Sequence, residues 1–359
     1  MAGPMSSASA DSATVKRGPS PGDGPVRADE FVVEVADLVK VYGRDVRAVD
    51  GISFGVERGG FFGFLGPNGA GKTTTLRILC TLLTPTSGRA RLLGMDVVKD
   101  AAEVRRRIGF AMQQVALEGL ATGRENLELI GRLHRMPGHD VRSRADELLD
   151  LMGLVHVADK LVGTYSGGMK RRLDLATAMM HRPDVLFLDE PTEGLDPQSR
   201  AALWAELERI NRTGTTMFLT THYMEEADKL CRRLAIIDEG VIVVEGTPTE
   251  LKRSIGADRI SLSLAPDDGP SSRDRRALLA SQMQALDGVA AIEETAQGVE
   301  LSVRDAQGSL PRLVRLLDAA GVRIGGLSVR EPSLDDVFLR YTGKRIRPEE
   351  ADAPLSMWS

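Results

Sequence analysis

Residues 66–73 read Gly-Pro-Asn-Gly-Ala-Gly-Lys-Thr, and this octet narrows the choice of fold more than any other stretch of the chain. The spacing G-x-x-x-x-G-K-[ST] asks for a loop that leaves a buried strand and enters a helix. Backbone N–H groups can surround a concentrated negative charge only where side chains stand back. The flanks comply, since Phe61–Leu65 is a short apolar run and Thr73–Leu83 has helical spacing. Gly66, Gly69 and Gly71 keep such a loop open, and Pro67, Asn68 and Ala70 complete it. Lys72 offers a point charge to β- and γ-phosphates, and Thr73 offers a hydroxyl to Mg²⁺.

Two further patterns bear on the same chemistry. The run Val185–Leu188 reads as a strand buried on both faces and ends in Asp189 and Glu190. Asp189 is placed to hold Mg²⁺ through water, and Glu190, one step further out, to polarise an attacking water. Ser166, Gly167 and Gly168 lead into a helix expected to begin near Met169. A bare helix N-terminus beside a hydroxyl also suits a phosphate. One chain already has a phosphate loop, so this second anion site needs its own explanation.

Composition frames these motifs. A chain of 359 residues, 42% hydrophobic and 27% charged, has material for about two globular domains. Its 46 basic and 51 acidic residues leave a net charge of −5, which argues against a basic coat for nucleic acid. The two cysteines, Cys80 and Cys231, exclude a disulfide scaffold and read as reduced core thiols. No stretch approaches the ~18 apolar residues of a membrane span, and the N-terminus lacks the apolar centre of a signal peptide. The chain is therefore not expected to cross a membrane by itself. Residues 1–29 and 346–359, rich in Ala, Ser, Gly, Pro and Asp or Glu, are expected to be disordered tails.

Between them, strands alternate with helices, as in an α/β core with a parallel sheet. Strands are expected at Phe31–Tyr42, Ala48–Val56, Thr216–Thr220 and in a hairpin of Leu234–Ile237 with Val241–Glu245. Helices are expected at Gln198–Ile210, at Met224–Cys231 and over Arg124–Leu154, the last broken at Pro137–Gly138. A boundary near residue 255 separates residues 30–255 from a smaller unit over 256–345. In that unit Ile260–Leu264, Arg273–Leu286, Val289–Glu293, Gly298–Val303, Leu310–Ala320 and Val322–Val329 give the order βαββαβ, the ferredoxin-like arrangement. Ser333 and Asp336 resemble a capping box that opens a last helix. The basic runs Arg105–Arg107 and Lys170–Arg172 read as solvated helix faces, with lipid head groups or a partner as the alternative.

Phosphate loop, SGG before a helix, a strand ending in Asp-Glu, then GLDP and TTH: this order resembles the ATP-binding cassette (ABC) ATPases over residues 31–250. The resemblance implies a P-loop NTPase core, with a mainly parallel sheet and a helical subdomain over about 115–165. It implies that Gly66–Thr73 is the Walker A loop, with Thr74 adding a phosphate contact, and that Asp189 and Glu190 are Walker B and the catalytic glutamate. Tyr42 would stack on adenine, and Gln113 would be the Q-loop glutamine that touches Mg²⁺ or the attacking water. Ser166–Gly168 would be the signature motif, Asp196 the D-loop aspartate, and His222 the switch histidine at the γ-phosphate. In this family two cassettes pair head to tail, the loop of one and the signature of the other enclosing each ATP, which accounts for the second anion site.

Two positions depart from the common pattern. The signature reads Tyr165-Ser-Gly-Gly-Met169 where LSGGQ is frequent, a form shared with the drug-exporter branch. Glu193 stands where Thr, Ser or Asn is frequent. The closing segment Glu331–Lys344 resembles daunorubicin-resistance-type subunits, single cassettes that work with a separate membrane permease. The implied protein is the ATP-hydrolysing subunit of an exporter of drugs or natural products, a homodimer at the cytoplasmic face of the membrane, with no nucleic-acid partner. Two readings compete with it. A cassette acting on DNA or the ribosome would carry long coiled coils or two cassettes in one chain, and neither is present. A module that binds ATP without hydrolysing it would not need Glu190 and His222.

Overall fold

The computed structural model describes residues 31–343 apart from 44, 256–257, 265–282, 284–287, 296–297, 304 and 321–323. Both expected tails, and the expected helix Arg273–Leu286 apart from Met283, lie outside the described residues.

The chain begins with β1 (Phe31–Tyr42) and β2 (Val46–Glu57), an antiparallel pair. Next come β3 (Phe61–Leu65), α1 (Lys72–Leu79), β4 (Ser87–Leu92), β5 (Met95–Asp96), α2 (Ala101–Arg107) and β6 (Ile108–Ala111). Helices α3 (Gly123–Leu133), α4 (Gly138–Leu151) and α5 (Gly167–Ala178) precede β7 (Val185–Asp189), α6 (Pro197–Arg212), β8 (Thr216–Thr221) and α7 (Met224–Leu230). The hairpin β9 (Arg233–Asp238) and β10 (Val241–Gly246) and helix α8 (Pro248–Ile255) close this part.

Six strands form the larger sheet in the order β10-β9-β3-β8-β7-β6, parallel except for β10. A second sheet, β2-β1-β4-β5, is antiparallel and is one layer more than the sequence indicated. Its strand β4 reads Ser-Gly-Arg-Ala-Arg-Leu with only Ala90 and Leu92 buried, too few apolar residues to announce a strand. Between the two sheets Phe54, Phe62, Phe64, Phe187 and Phe218 cluster with ring centroids 5.4–5.9 Å apart. On β7, Val185 and Phe187 enter this core while Leu186 and Leu188 enter the one on the opposite face. Burial on both faces is why β3, and β7 up to Asp189, carry no polar side chain.

The C-terminal sheet comprises β11 (Asp258–Leu264), β12 (Val289–Thr295), β13 (Gly298–Val303) and β14 (Ile324–Arg330), with α9 (Ala306–Ala319) between the last two. Its order β12-β13-β11-β14, with every pair antiparallel, is that of the ferredoxin-like arrangement. The last helix, α10 (Leu334–Thr342), opens with the expected capping box of Ser333 and Asp336. It does not join the small sheet: Leu334, Val337 and Phe338 belong to the core of α3–α7. Cys80 and Cys231 are free, and burial pushes both thiols well above their ordinary range.

Candidate nucleotide-binding and catalytic site

Strand register builds the site. β3, β8 and β7 lie side by side, with Leu65 level with Thr221 and Asp189 level with Thr220. Three segments thus leave the sheet together at its carboxyl edge, where open α/β sheets present ligands. The Gly66 N–H donates to the Thr221 carbonyl at 3.2 Å, and the Glu190 N–H to the Thr220 carbonyl at 3.0 Å.

The loop after β3 is shaped by its glycines. A Cβ at Gly66 would lie 2.3 Å from the Ile237 carbonyl oxygen, and one at Gly71 (φ 104°) 2.3 Å from that of Ala48. Asn68 and Gly69 form the exposed crest. Helix α1 starts at Lys72 with no side-chain cap and no acidic residue in its first turn. Its N–H groups and positive dipole end are therefore directed at an anion from outside the loop, and a polyphosphate fits. Lys72 is 4% exposed. Its Nζ donates to the carbonyls of Gly66 at 2.8 Å and Pro67 at 3.1 Å.

Side chains from all three segments converge here. Lys72 Nζ pairs with Glu190 Oε1 at 3.1 Å, and His222 Nδ1 lies 2.8 Å from Glu190 Oε2. Thr73 donates its hydroxyl to Asp189 Oδ1 at 3.2 Å, and Thr220 donates to the same oxygen at 2.6 Å. Burial would push the Glu190 carboxyl up, but the hydrogen bond from His222 and the nearby Lys72 charge outweigh it and hold the group below its ordinary range. Glu190 also has φ 47°, a left-handed conformation costly for a residue with a Cβ. A hydroxyl and a carboxylate oxygen side by side suit a hard cation such as Mg²⁺. A buried, ionised carboxylate at the edge of the phosphate loop can accept a proton from water.

The remaining expected residues lie outside this cluster. Gln113 is exposed, and its amide donates to Glu193 Oε2 at 2.5 Å, so the unusual glutamate has a partner. Ser166 caps α5, accepting from the Met169 N–H at 3.3 Å, and the helix starts at Gly167. Ser166 and Gly167 are exposed, while Gly168 faces Ser199 so closely that a Cβ would lie 3.0 Å from its hydroxyl. Asp196 caps α6, accepting from the Ser199 N–H at 2.9 Å and its hydroxyl at 2.6 Å. The two helix starts therefore lie side by side. Thr74 is partly buried in the first turn of α1. Tyr42 ends β1, 39% exposed, with Lys40 Nζ 5.4 Å from its ring centroid.

Two residues were missed. Thr220 is signalled only by sharing strand parity with His222. Arg171 was read as part of a solvated basic face, and the structure corrects this: it is 5% exposed and fully engaged beneath the Asp189–Pro191 turn. The other run is exposed at Arg105–Arg107, where Arg107 pairs with Asp184 at 2.5 Å.

Comparison with known proteins identifies the family. Residues 49–193 match the ABC transporter family model, and residues 246–342 match the C-terminal domain of DrrA1-3-like ATP-binding proteins. The chain is 44% identical over 323 residues to the daunorubicin resistance ATP-binding protein DrrA2 of Streptomyces coeruleorubidus, covering 90% of this chain and 98% of that one. It is 41% identical to the Nod factor export ATP-binding protein I of Paraburkholderia xenovorans, covering 89% and 99%. Among solved structures it resembles the dimeric post-hydrolysis ATP-binding cassette MJ0796 bound to ADP and Pi, with TM-score 0.55, 28% identity, and 60% and 98% coverage. Cassette site and C-terminal unit together place this chain among the ABC ATPases, as a member of the daunorubicin-resistance type of ABC transporter ATP-binding proteins.

Proposed function

We propose that two copies of this chain hydrolyse ATP at a head-to-tail interface and so drive export of a drug or natural product through a separate permease. The reading rests on one observation: Lys72, Thr73, Asp189, Glu190 and His222 converge beside the Gly66–Thr73 loop, while Ser166 and Gly167 stand exposed at the start of a different helix, which we read as a second anion-binding edge. A single triphosphate needs both, and a second copy supplies the missing half.

The loop glycines and the α1 N-terminus would receive the β- and γ-phosphates, with Thr74 adding a contact and Tyr42 stacking on adenine. Lys72 would transfer its charge from Glu190 to the phosphates, which leaves Glu190 to take the proton of the attacking water. His222 would hold Glu190 in position and touch the γ-phosphate. Thr73 and Asp189 would hold Mg²⁺, with Gln113 reaching it as the sites close. Bound there, the ion neutralises charge on the β- and γ-oxygens. Asp196 would line the shared interface beside the partner's site.

No helix among the described residues is long and apolar enough to cross a membrane, and we assign the transport path to a separate chain docked at the cytoplasmic face. Relatives named for drug resistance and for export support outward transport. The test is ATP-dependent drug accumulation in inverted vesicles carrying a membrane permease that co-purifies with this chain. Accumulation should require the chain and vanish with Lys72→Ala, and accumulation that persists without the chain would refute the reading.

A further inference from the structure

Arg171 lies five residues beyond Ser166 on α5, with its side chain in the protein interior. Its Nε donates to the Pro191 carbonyl at 2.7 Å, and Nη2 to the carbonyls of Asp189 at 3.1 Å and Glu190 at 3.2 Å. Nη1 donates to the Met112 carbonyl, and at 3.5 Å to that of Gln113. Asp174 Oδ2, one turn along the same helix, lies 3.4 Å from Nη1.

A buried guanidinium is costly unless its donors are filled. Five carbonyls and one carboxylate fill them here, and their identity matters more than their number. Three belong to consecutive peptides on either side of Glu190, which is held at positive φ. Two belong to the segment of Gln113. No other side chain described here touches the helix of Ser166, the turn of Glu190 and the segment of Gln113 together. A planar fork with five N–H groups spread over three nitrogens suits this reach, whereas the three donors of an ammonium all sit on one atom.

We propose that Arg171 is a positioning residue: it locks the peptides around Glu190 and Gln113 to the helix that begins at Ser166, so that phosphate contact at that helix start in one site sets the hydrolytic geometry of the other. The inference rests on the head-to-tail reading above, because only there do Ser166 and Glu190 of one chain serve different nucleotides. A displacement of α5 on engaging phosphate is then delivered through the guanidinium to the Glu190 turn. Small misplacements at this range cost rate rather than affinity.

The test uses the full chain with Arg171→Gln and Arg171→Lys, read by ATPase kinetics, nucleotide binding to the monomer and thermal melting. Arg171→Gln should lower kcat by about tenfold or more while KM and monomer affinity stay within about twofold, and Arg171→Lys should recover part of kcat. Parental kcat in Arg171→Gln, or KM and affinity lost in step with kcat and melting temperature, would overturn the proposal. Should Arg171→Gln not fold, Arg171→Lys decides: lowered kcat at unchanged KM supports the proposal, and parental kcat refutes it. A parallel Ser166→Arg chain separates the two readings. If it fails to dimerise with ATP while Arg171→Gln keeps its rate, the sandwich stands and the relay falls. If it dimerises normally, the sandwich falls and the relay with it.

Discussion

Lys72 and Glu190 neutralise each other across 3.1 Å, one at the start of α1 and the other just beyond β7. The pair sits 4% and 6% exposed, so removing either charge leaves its mate buried with only its remaining partners, His222 for Glu190 and the Gly66 and Pro67 carbonyls for Lys72. Lys72→Ala should weaken ATP binding by roughly a hundredfold or more, the size expected for losing charge-assisted contacts to phosphate. Fluorescent-nucleotide titration of the monomer measures this, and parental affinity would remove Lys72 from the site.

Glu190→Gln keeps shape while removing the base. It should bind ATP normally, lose about a hundredfold or more in kcat, and accumulate as an ATP-bound dimer. Size exclusion with and without Mg-ATP, beside a steady-state assay, gives both readouts. Hydrolysis at the parental rate would show that another group takes the proton.

The exposed start of α5 makes a separate prediction. Ser166→Arg introduced into the Glu190→Gln chain should abolish the ATP-bound dimer and leave monomer nucleotide affinity within about twofold, because the phosphate loop is untouched. Dimer formation at the parental ATP concentration would contradict a role for this edge in the interface.

His181 predicts a pH dependence away from the site. Burial, the stacked ring of His134 at 3.9 Å and the charge of Arg144 bring its pKa down to about 4, although its bond to the Ile108 carbonyl opposes the shift. A depressed folded-state pKa means that the unfolded chain binds the proton more readily. Stability from this residue is therefore full above about pH 6.5 and is lost as pH falls toward 4. Urea unfolding from pH 7.5 to 4.5 should slope downward, and His181→Gln should flatten that slope. Equal slopes would show that other groups dominate acid sensitivity.

Much of this architecture was legible because its signals are local. The Gly66–Thr73 loop, the apolar β7 and the Ser333–Asp336 box each declare themselves within about ten residues, through backbone sterics, two-faced burial or a cap. The antiparallel layer escaped because β4 and β5 are short and largely exposed or half-buried, and their strand character comes from pairing, β4 with β1 and β5 with β4. Arg171 escaped for a related reason. A buried arginine looks like a solvated one until the carbonyls that receive it are brought in from residues 112 and 191, which no periodicity along α5 reveals.

Helix α10 carries a consequence for how this polypeptide can be cut. Its Leu334, Val337 and Phe338 complete the interior of the catalytic unit, although they come after the whole C-terminal sheet. The small sheet is thus an insertion threaded before a clasp, not a detachable appendage. A stop codon ahead of residue 331 would leave an apolar wound in the ATPase itself, so loss of the terminus should register first as insolubility.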